Sequence, residues 1–480
     1  MNYWMVFNVL GLVLQFQAVF LLLPCVVSGI YREHEGFSFL IVALACAAAG
    51  TLLRRIKTQN KQIYAREGLV IVALAWIVLS FTGAVPFVLS REIPSFTNAF
   101  FETVSGFTTT GASILIEVDE MSKCCLFWRS FTHWVGGMGV IVFIVAILPM
   151  TGGQNMHLIR AESPGPSVGK LVPKARESAR ILYIIYLALT VLQILLLLAA
   201  GMPLFDAVTI AFGSAGTGGF AVRSSGVASY TPLMQMIIAL FVILFGINFN
   251  FYFYLRGKHK KDAFKISEVR WYLTIIAASV AIITWNIRGL YQHIGDALHH
   301  ALFQVASIMT TTGFASADFN LWPVLSKSVL ILLMFIGACA GSTGGGLKVS
   351  RVLILFKSIR KEIEHIIHPR SVRAVMMDGR SVPQEMADGV KTYLATYAVL
   401  FAVSCVLVAG FEMTDFETVF TSVAATINNI GPGIGGVGPM ANYAWLSLPS
   451  KWVLIFDMLA GRLELYPMLI LLTPELWRQK

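Results

Sequence analysis

Four short segments of this 480-residue chain combine hydroxyl or amide side chains with a terminal glycine, a pattern suited to binding a cation. The four tetrads are Thr108, Thr109, Thr110 and Gly111; Gly216, Thr217, Gly218 and Gly219; Thr310, Thr311, Thr312 and Gly313; and Asn428, Asn429, Ile430 and Gly431. Backbone carbonyls can replace the hydration shell of a cation, and glycine reaches the positive φ values that turn successive carbonyls inward. Four such loops in one polypeptide predict one central ion pathway.

The tetrads contain no Asp or Glu, which favours dipolar selection by carbonyls and Thr hydroxyls over an acidic ring. The preceding amphipathic stretches, such as residues 98–107 and 301–309, would direct the negative ends of their helix dipoles at the same place. Potassium fits this arrangement best, because it dehydrates most readily among the common candidate ions. A lone tetrad is more often a helix kink or a packing contact, and repetition alone leaves that alternative open.

The elements that position these loops are membrane spans, as the composition indicates. The chain is 56% hydrophobic and 13% charged, with a mean hydropathy of +0.73. Apolar runs long enough to cross the ~30 Å hydrocarbon core predict about ten crossings. Roughly, they cover residues 4–28, 37–53, 68–89, 125–149, 181–201, 232–255, 271–288, 327–357, 390–410 and 450–472. The first run lacks a basic segment before it, so we expect it to be retained rather than cleaved.

The placement of charge predicts the orientation. Arg and Lys concentrate in four stretches, residues 54–66, 160–180, 256–270 and 357–380, whereas the segments between and after them, which contain the tetrads, carry acidic residues such as Glu117, Asp119 and Asp415. The net charge of +10 therefore follows the positive-inside rule and gives no reason to expect nucleic-acid binding. The tetrads should open to the outside, with both termini in the cytoplasm. Six scattered cysteines predict neither a disulfide framework nor a zinc site.

The last eight spans form four pairs, and each pair encloses a run too short to span, which predicts a re-entrant helix and loop. The final glycines of the tetrads lie 108, 94 and 118 residues apart, so the repeat is about a hundred residues long. The predicted fold is an all-α integral membrane protein with four helix–pore loop–helix repeats around a central pore and two additional N-terminal helices. The predicted boundaries are 1–60 for the extension, then 61–160, 161–262, 263–370 and 371–480 for the repeats.

Two features beneath the predicted loops are candidate gate parts. The run 327–357 would measure about 46 Å as one helix, and a glycine-rich stretch interrupts it, which predicts two helices joined by a loop. The candidate residues of this loop are Gly341, Ser342, Thr343, Gly344, Gly345, Gly346 and Lys348. The alternative is a small-residue interface for close helix packing, which the residues alone favour.

Arg462 lies within the last apolar span, where an ionised side chain costs at least ~2.5 kcal/mol unless it is paired or hydrated. Asp457 and Glu464 do not share its helical face, so we expect Arg462 to face the pore as an electrostatic barrier. The alternative is that it snorkels to the cytoplasmic interface. Lys348 is a weaker candidate for a similar role, because a lysine near a helix start opposes the helix dipole.

Six segments carry a specific family resemblance. They are FETVSGFTTTGA (101–112), WVGGMG (134–139), RAESPGP (160–166), GSTGGGLKV (341–349), NNIGPG (428–433) and GRLE (461–464). Over essentially its full length the chain resembles the TrkH/TrkG branch of the Trk/Ktr/HKT superfamily of potassium transporters. The second tetrad departs most from the Thr-rich pattern of that family, so its ligands are the least defined.

The resemblance implies a homodimer in a bacterial inner membrane that takes up potassium. It also assigns the loop at 341–346 as an intramembrane gate and Arg462 as a barrier below the filter. Regulation would come from a cytosolic nucleotide-binding ring of the TrkA kind, since this chain has no nucleotide-binding motif and no organic cofactor is expected. The alternative use of the same pore is sodium- or proton-coupled symport. A transporter built from inverted repeats is disfavoured by four parallel repeats, and an enzyme by the lack of a convergent acid/base pair.

Overall fold

The computed structural model describes residues 2–55, 64–139, 175–256, 260–370 and 373–477, which are almost entirely helical. The leading pair is α1 (Tyr3–Tyr31) and α2 (Gly36–Arg54). The first repeat contributes α3 (Ala65–Leu89), α4 (Phe96–Phe107) and α5 (Lys123–Met138). The second repeat contributes α6 (Ala175–Ala199), α7 (Leu204–Gly216), α8 (Pro232–Gly246), α9 (Asn250–Arg256) and α10 (Lys260–Ala263). The third repeat contributes α11 (Ser267–Ile287), α12 (Ile294–Met309), α13 (Val324–Ile336) and α14 (Val349–Ile367). The fourth repeat contributes α15 (Gln384–Phe411), α16 (Phe416–Ile427), α17 (Leu448–Arg462), α18 (Tyr466–Leu471) and α19 (Pro474–Trp477). The predicted all-α class with four repeats and two leading helices is confirmed.

Six helices of the described ranges are long and apolar enough to cross a bilayer: α1, α2, α3, α6 over Ala179–Ala199, α11 and α15. Their outward faces carry exposed aliphatic side chains, as on α2 and α15, where Leu44, Val399 and Val406 are all exposed. Exposed apolar stripes of this kind are stable only against lipid or a partner surface. These helices form the outer wall of a membrane protein.

In each of the last three repeats, the helix that follows the tetrad is short. Helices α8, α13 and α17 contain 15, 13 and 15 residues, about 20–23 Å at 1.5 Å per residue, which is less than the hydrocarbon core. The break in 327–357 was predicted and is confirmed. The runs 232–255 and 450–472 are also interrupted, whereas the sequence predicts each as one span.

Local chemistry explains both unexpected breaks. After α8, the Asn248 Oδ1 atom accepts the N–H of Asn250 at 2.9 Å, an Asx turn that competes with helical bonding. After α17, Glu464 and Leu465 adopt φ values of 61° and 65°, and Pro467 lies in the first turn of α18. The fourth interrupted run, 125–149, is described only to residue 139, where Gly139 has a φ of 83°.

The leading pair is fastened to the first repeat. Gly11 and Gly50 bring α1 and α2 together, since a Cβ atom on Gly50 would lie 2.6 Å from the Gly11 carbonyl oxygen. The Glu33 carboxylate then accepts the N–H groups of Lys123 at 2.6 Å and Cys124 at 2.9 Å. A carboxylate on the first N–H groups of α5 stabilises that helix and fixes its position against α1 and α2.

One small strand pair completes the fold. β1 (Met376–Met377) pairs antiparallel with β2 (Arg380–Ser381), and Asp378 and Gly379 form the turn with φ values of 50° and 76°. The Asp378 Oδ1 atom accepts the N–H of Ser267 at 2.7 Å, so this hairpin is attached to the start of α11.

Candidate ion pathway

Each tetrad follows a short buried helix of 12 to 16 residues: α4, α7, α12 or α16. The third tetrad residue donates its backbone N–H to the carbonyl five residues earlier in every case. The four bonds are Thr110 to Ser105 at 2.8 Å, Gly218 to Gly213 at 2.8 Å, Thr312 to Ser307 at 2.7 Å and Ile430 to Ala425 at 2.8 Å. Tetrads of different composition therefore leave their helices in the same way.

The backbone conformation also repeats fourfold. The second residue of every tetrad is left-handed: Thr109 at 55°, Thr217 at 53°, Thr311 at 58° and Asn429 at 55°. The fourth residue has positive φ as well: Gly111 at 79°, Gly219 at 78°, Gly313 at 83° and Gly431 at 98°. Alternating the sign of φ turns successive carbonyls toward one side, as a carbonyl-lined channel requires. Left-handed Thr and Asn residues are uncommon enough to indicate a structural constraint.

The four tetrads close into a ring. A Cβ atom added to Gly111 would meet the carbonyl oxygen of Gly218, and one on Gly219 would meet that of Thr312. Likewise, a Cβ atom on Gly313 would meet the Ile430 carbonyl oxygen, and one on Gly431 would lie 2.7 Å from the Thr110 carbonyl oxygen. Each fourth residue thus faces the third residue of the next tetrad, in the order one, two, three, four, one. This packing leaves no space for any side chain larger than hydrogen.

Side chains reinforce the ring in the Thr-rich loops. The Thr108 and Thr110 hydroxyls lie 2.8 Å apart, and those of Thr310 and Thr312 lie 2.7 Å apart. Asn429 donates through Nδ2 to the Thr110 hydroxyl at 3.0 Å, which joins the fourth tetrad to the first. All these residues are buried, and the Thr108 and Thr310 hydroxyls also donate to the helix carbonyls of Val104 and Ala306, at 2.7 Å each.

The second tetrad has glycine where the others carry side chains, and His133 of α5 occupies the space. A Cβ atom on Gly218 would overlap the His133 ring. The imidazole Nδ1 lies 2.8 Å from the Gly106 carbonyl oxygen, and Nε2 accepts the N–H of Phe220 at 3.2 Å. His133 is therefore neutral, with its proton on Nδ1. Sequence reasoning missed this residue; the available signal was glycine at positions 216 and 218, where the other tetrads carry side chains.

A buried ion pair supports the outer end of the first two tetrads. Arg129 Nε lies 2.5 Å from Glu102 Oε1, and Arg129 also donates to the Ala221 carbonyl at 2.8 Å. Glu102 accepts in addition the N–H of Ile114 at 2.9 Å. Both charged side chains are almost fully buried and satisfied, which is the condition under which such a pair is tolerated. Sequence reasoning placed Glu102 in a family motif but missed Arg129.

On the outer side of the ring lies a cavity of about 150 Å³. Its lining includes the fourth residue of every tetrad, Gly111, Gly219, Gly313 and Gly431. Backbone-rich loops complete the wall, around residues 112–118, 220–226 and 437–443. The four tetrads therefore border one polar cavity.

The Gly-rich segment, residues 337–348, runs beneath the third and fourth tetrads. The Gly345 N–H donates to the Thr311 hydroxyl at 2.5 Å, and a Cβ atom on Gly344 would lie 2.8 Å from the Thr310 carbonyl oxygen. The segment begins at Gly337, with a φ of 71°, and ends at Lys348, with a φ of 77°. The sequence-predicted loop is thus directly against the tetrads.

Arg462 and Lys348 both contact this segment. Arg462 donates to the Thr343 carbonyl at 2.9 Å and, across to α5, to the Gly136 and Gly137 carbonyls at 2.6 and 2.9 Å. The buried Lys348 ammonium donates to the Gly344 carbonyl. Arg462 thus bridges the end of α5 and the Gly-rich segment, and its role facing the pore stays a prediction.

The structure brings every predicted site residue into one assembly: the tetrads form the ring, and the Gly-rich segment and Arg462 lie together beneath it. The motif at 160–166 lies outside the described residues. Two further groups that sequence reasoning did not identify, His133 and Arg129, belong to the same assembly. Both act across repeats, since each contacts residues that follow the second tetrad.

Comparison with known proteins agrees with this geometry. The TrkH family profile, described as cation transport protein, matches residues 35–478. The chain is 38% identical to the Trk system potassium uptake protein TrkH of Salmonella typhimurium, with 100% of both chains covered. It is 34% identical to TrkG of Escherichia coli K12, covering 98% of this chain and 97% of the relative. The crystal structure of the potassium transporter TrkH from Vibrio parahaemolyticus superposes with a TM-score of 0.89 at 34% identity, with 100% of both chains covered. The chain therefore belongs to the TrkH family of cation transport proteins.

Proposed function

We propose that this protein takes up potassium across a bacterial inner membrane through a channel-like pore whose selectivity filter is the ring of four tetrads. The observation that carries the proposal is the closed circuit of contacts in which each tetrad glycine faces the carbonyl of the next tetrad. Such a ring holds carbonyl and hydroxyl oxygens at fixed separations around one axis, which suits a weakly hydrated cation.

The Gly-rich segment serves as the gate in this proposal. Its contacts with Thr311 and with the Thr310 carbonyl support a position that obstructs the route below the ring. Arg462 adds a fixed positive charge at the same level and fastens the segment through the Thr343 carbonyl. A cation leaving the ring would meet both a steric and an electrostatic obstacle, so opening requires that the segment move.

We propose further that the chain works as a homodimer with a cytosolic TrkA-like nucleotide-binding ring and has both termini in the cytoplasm. The relatives' name, Trk system potassium uptake protein, supports a multi-component system. The repeat boundaries proposed from the sequence, 61–160, 161–262, 263–370 and 371–480, each enclose one tetrad. Nucleotide control would reside on the partner, and the transported potassium ion is the only small ligand required of this chain.

Purified protein in liposomes tests the proposal. Passive uptake of potassium, rubidium, sodium and lithium should be compared with no imposed gradient of any second ion. We expect flux that favours potassium and rubidium. Flux that appears only with a sodium or proton gradient would instead establish coupled symport, and equal flux of all four cations would refute a selective ring.

A further inference from the structure

Two backbone positions that flank residues 341–348 of the Gly-rich segment meet at one side chain, Glu268 of α11. Its Oε1 atom accepts the N–H of Ala340 at 2.6 Å and the N–H of Ser350 at 3.1 Å. Its Oε2 atom accepts from Asn248 Nδ2 at 3.2 Å. Glu268 is 3% exposed, so these donors replace the water that a carboxylate would otherwise bind.

The hydrogen bonds to Glu268 stabilise the position of each donor. Hydrogen bonds to an ionised carboxylate are about twice as strong as neutral ones. Ser350 lies in the first turn of α14, where the free N–H groups and the helix dipole favour a negative charge. Glu268 therefore acts as an N-terminal cap supplied by another helix, and it holds Ala340 next to the start of α14.

The first part of the segment is also fixed to the break after α8. The Cys339 N–H donates to the Gly246 carbonyl at 3.1 Å, and the Phe249 N–H donates to the Gly341 carbonyl at 3.0 Å. Asn248, which lies within that break, completes the attachment through Glu268. The chain is thus held from Cys339 to Gly341 by the second repeat and again at Ser350 by Glu268.

Between these attachments the backbone turns at three positive φ values: Gly341 at 67°, Gly346 at 76° and Lys348 at 77°. The intervening residues make the contacts beneath the ring, through Gly345 with Thr311 and through Thr343 with Arg462. Glycine allows large changes of φ and ψ at little cost, so Gly341 and Gly346 are suited to act as pivots. The part able to move lies between the fixed ends.

We propose that Glu268 is the positioning residue of the gate: through Ala340 and Ser350 it anchors the backbone on both sides of residues 341–348 and confines the motion of the segment to them. This inference rests on the proposed gating function of the segment. With both ends anchored, the blocking conformation is well defined beneath the ring. When the anchor is weakened, the segment spends less time beneath the ring and passive flux rises.

The donor and acceptor pattern at this position permits a matched test. In Glu268→Gln, an amide N–H₂ would face the N–H₂ of Asn248, so one of the three hydrogen bonds is lost. In Asn248→Asp, two carboxylates would face each other. The double variant Glu268→Gln with Asn248→Asp exchanges donor and acceptor and restores the bond, while the second Asp oxygen still accepts from Asn250.

Passive rubidium flux is measured in liposomes for each variant, with the rubidium-to-sodium ratio as a second readout and Arg462→Ala as the reference for an opened gate. We expect each single variant to raise flux about tenfold, the double variant to return it to near the wild-type level, and the cation ratio to stay unchanged. If Glu268→Gln does not accumulate as folded protein, the comparison of Asn248→Asp with the double variant carries the test.

Three results would overturn the inference. Single variants with wild-type flux, alongside a raised flux in Arg462→Ala, would leave the gate intact but remove Glu268 as its anchor. A double variant no closer to wild type than the singles would show that the hydrogen-bond pattern is irrelevant. Wild-type flux in every variant, Arg462→Ala included, would reject the proposed gate itself.

Discussion

At the residue scale, Arg462 connects three parts of the molecule: its own helix α17, the end of α5 and the Gly-rich segment. Three carbonyl acceptors at 2.6 to 2.9 Å hold the guanidinium in place. A planar group with five donors can satisfy several carbonyls at once, which lysine does with less geometric definition. In the proposed gate, the same charge that fastens the segment would also oppose a cation leaving the ring.

Removal of the Arg462 charge is therefore expected to raise potassium flux. Arg462→Ala and Arg462→Gln should each increase passive flux at least about tenfold, because a tenfold rise needs only about 1.4 kcal/mol, and a unit charge about 4 Å from an ion contributes about 4 kcal/mol at an effective dielectric constant of about 20. Liposome flux at equal protein loading measures the effect. Arg360→Ala is the control, because that side chain is 81% exposed on α14. Unchanged flux in both Arg462 variants would contradict the barrier.

His133 is the second residue whose role is specific. It supplies one donor and one acceptor to buried backbone groups of two repeats, where the second tetrad has no side chain to do so.

His133→Phe fills similar space but leaves the Phe220 N–H without this acceptor and the Gly106 carbonyl with the Thr109 N–H alone, at 3.1 Å. We expect a loss of about 1–3 kcal/mol in the free energy of unfolding, the cost of one unpaired buried group. Thermal unfolding in detergent measures this loss. The control is His365→Phe on α14, outside the ring, which should have little effect. Equal unfolding temperatures for the two variants would show that His133 does not support the second tetrad.

At the element scale, the short helices before the tetrads are held by polar contacts between repeats rather than by apolar packing alone. The Glu102–Arg129 pair joins α4 to α5, and Arg129 reaches the loop after the second tetrad through Ala221. Breaking one member of such a pair leaves an uncompensated buried charge, whereas removing both does not.

We expect Arg129→Met to destabilise the protein by about 3–5 kcal/mol. The double variant Arg129→Met with Glu102→Gln should recover part of this loss, because no buried charge is then left unpaired. The control is Lys327→Met at the more exposed Lys327–Glu417 pair, which is expected to cost less than about 1 kcal/mol. The unfolding temperatures of the wild type, Arg129→Met, the double variant and Lys327→Met measure these losses. A double variant no more stable than Arg129→Met alone would contradict this account.

Local patterns predict some elements and miss others for physical reasons. The tetrads and the break at 337–348 were predictable because positive φ requires glycine or a tolerant residue at fixed positions. The breaks after α8 and α17 were missed because the runs around them are apolar over most of their length. The local signals, Asn248 and Pro467, are single residues, and a contact distant in sequence, the Phe249 N–H with the Gly341 carbonyl, adds to the first break. Arg129 and His133 were missed because their partners lie 92 and 87 residues away.

At the scale of the whole molecule, four repeats of different sequence reproduce one backbone conformation around one axis. The tetrads share few side chains, yet their φ values agree closely at the second and fourth positions. Helices α2, α6, α11 and α15 are apolar and less than half buried, whereas α1 and α3 are more than half buried. The short helices after the tetrads end beneath the ring where the chain breaks. This division lets irregular backbone lie at membrane depth, because the protein itself surrounds it.

In the proposed mechanism, the closed ring of carbonyls selects the cation. The most direct measurement is the rubidium-to-sodium flux ratio of Gly313→Ala against Gly201→Ala. Both glycines have positive φ, 83° and 90°, but a Cβ atom on Gly313 meets the Ile430 carbonyl whereas one on Gly201 meets nothing within 4 Å. We expect Gly313→Ala to lower the ratio toward one and Gly201→Ala to retain the wild-type ratio. A folded Gly313→Ala protein with wild-type selectivity would contradict the account.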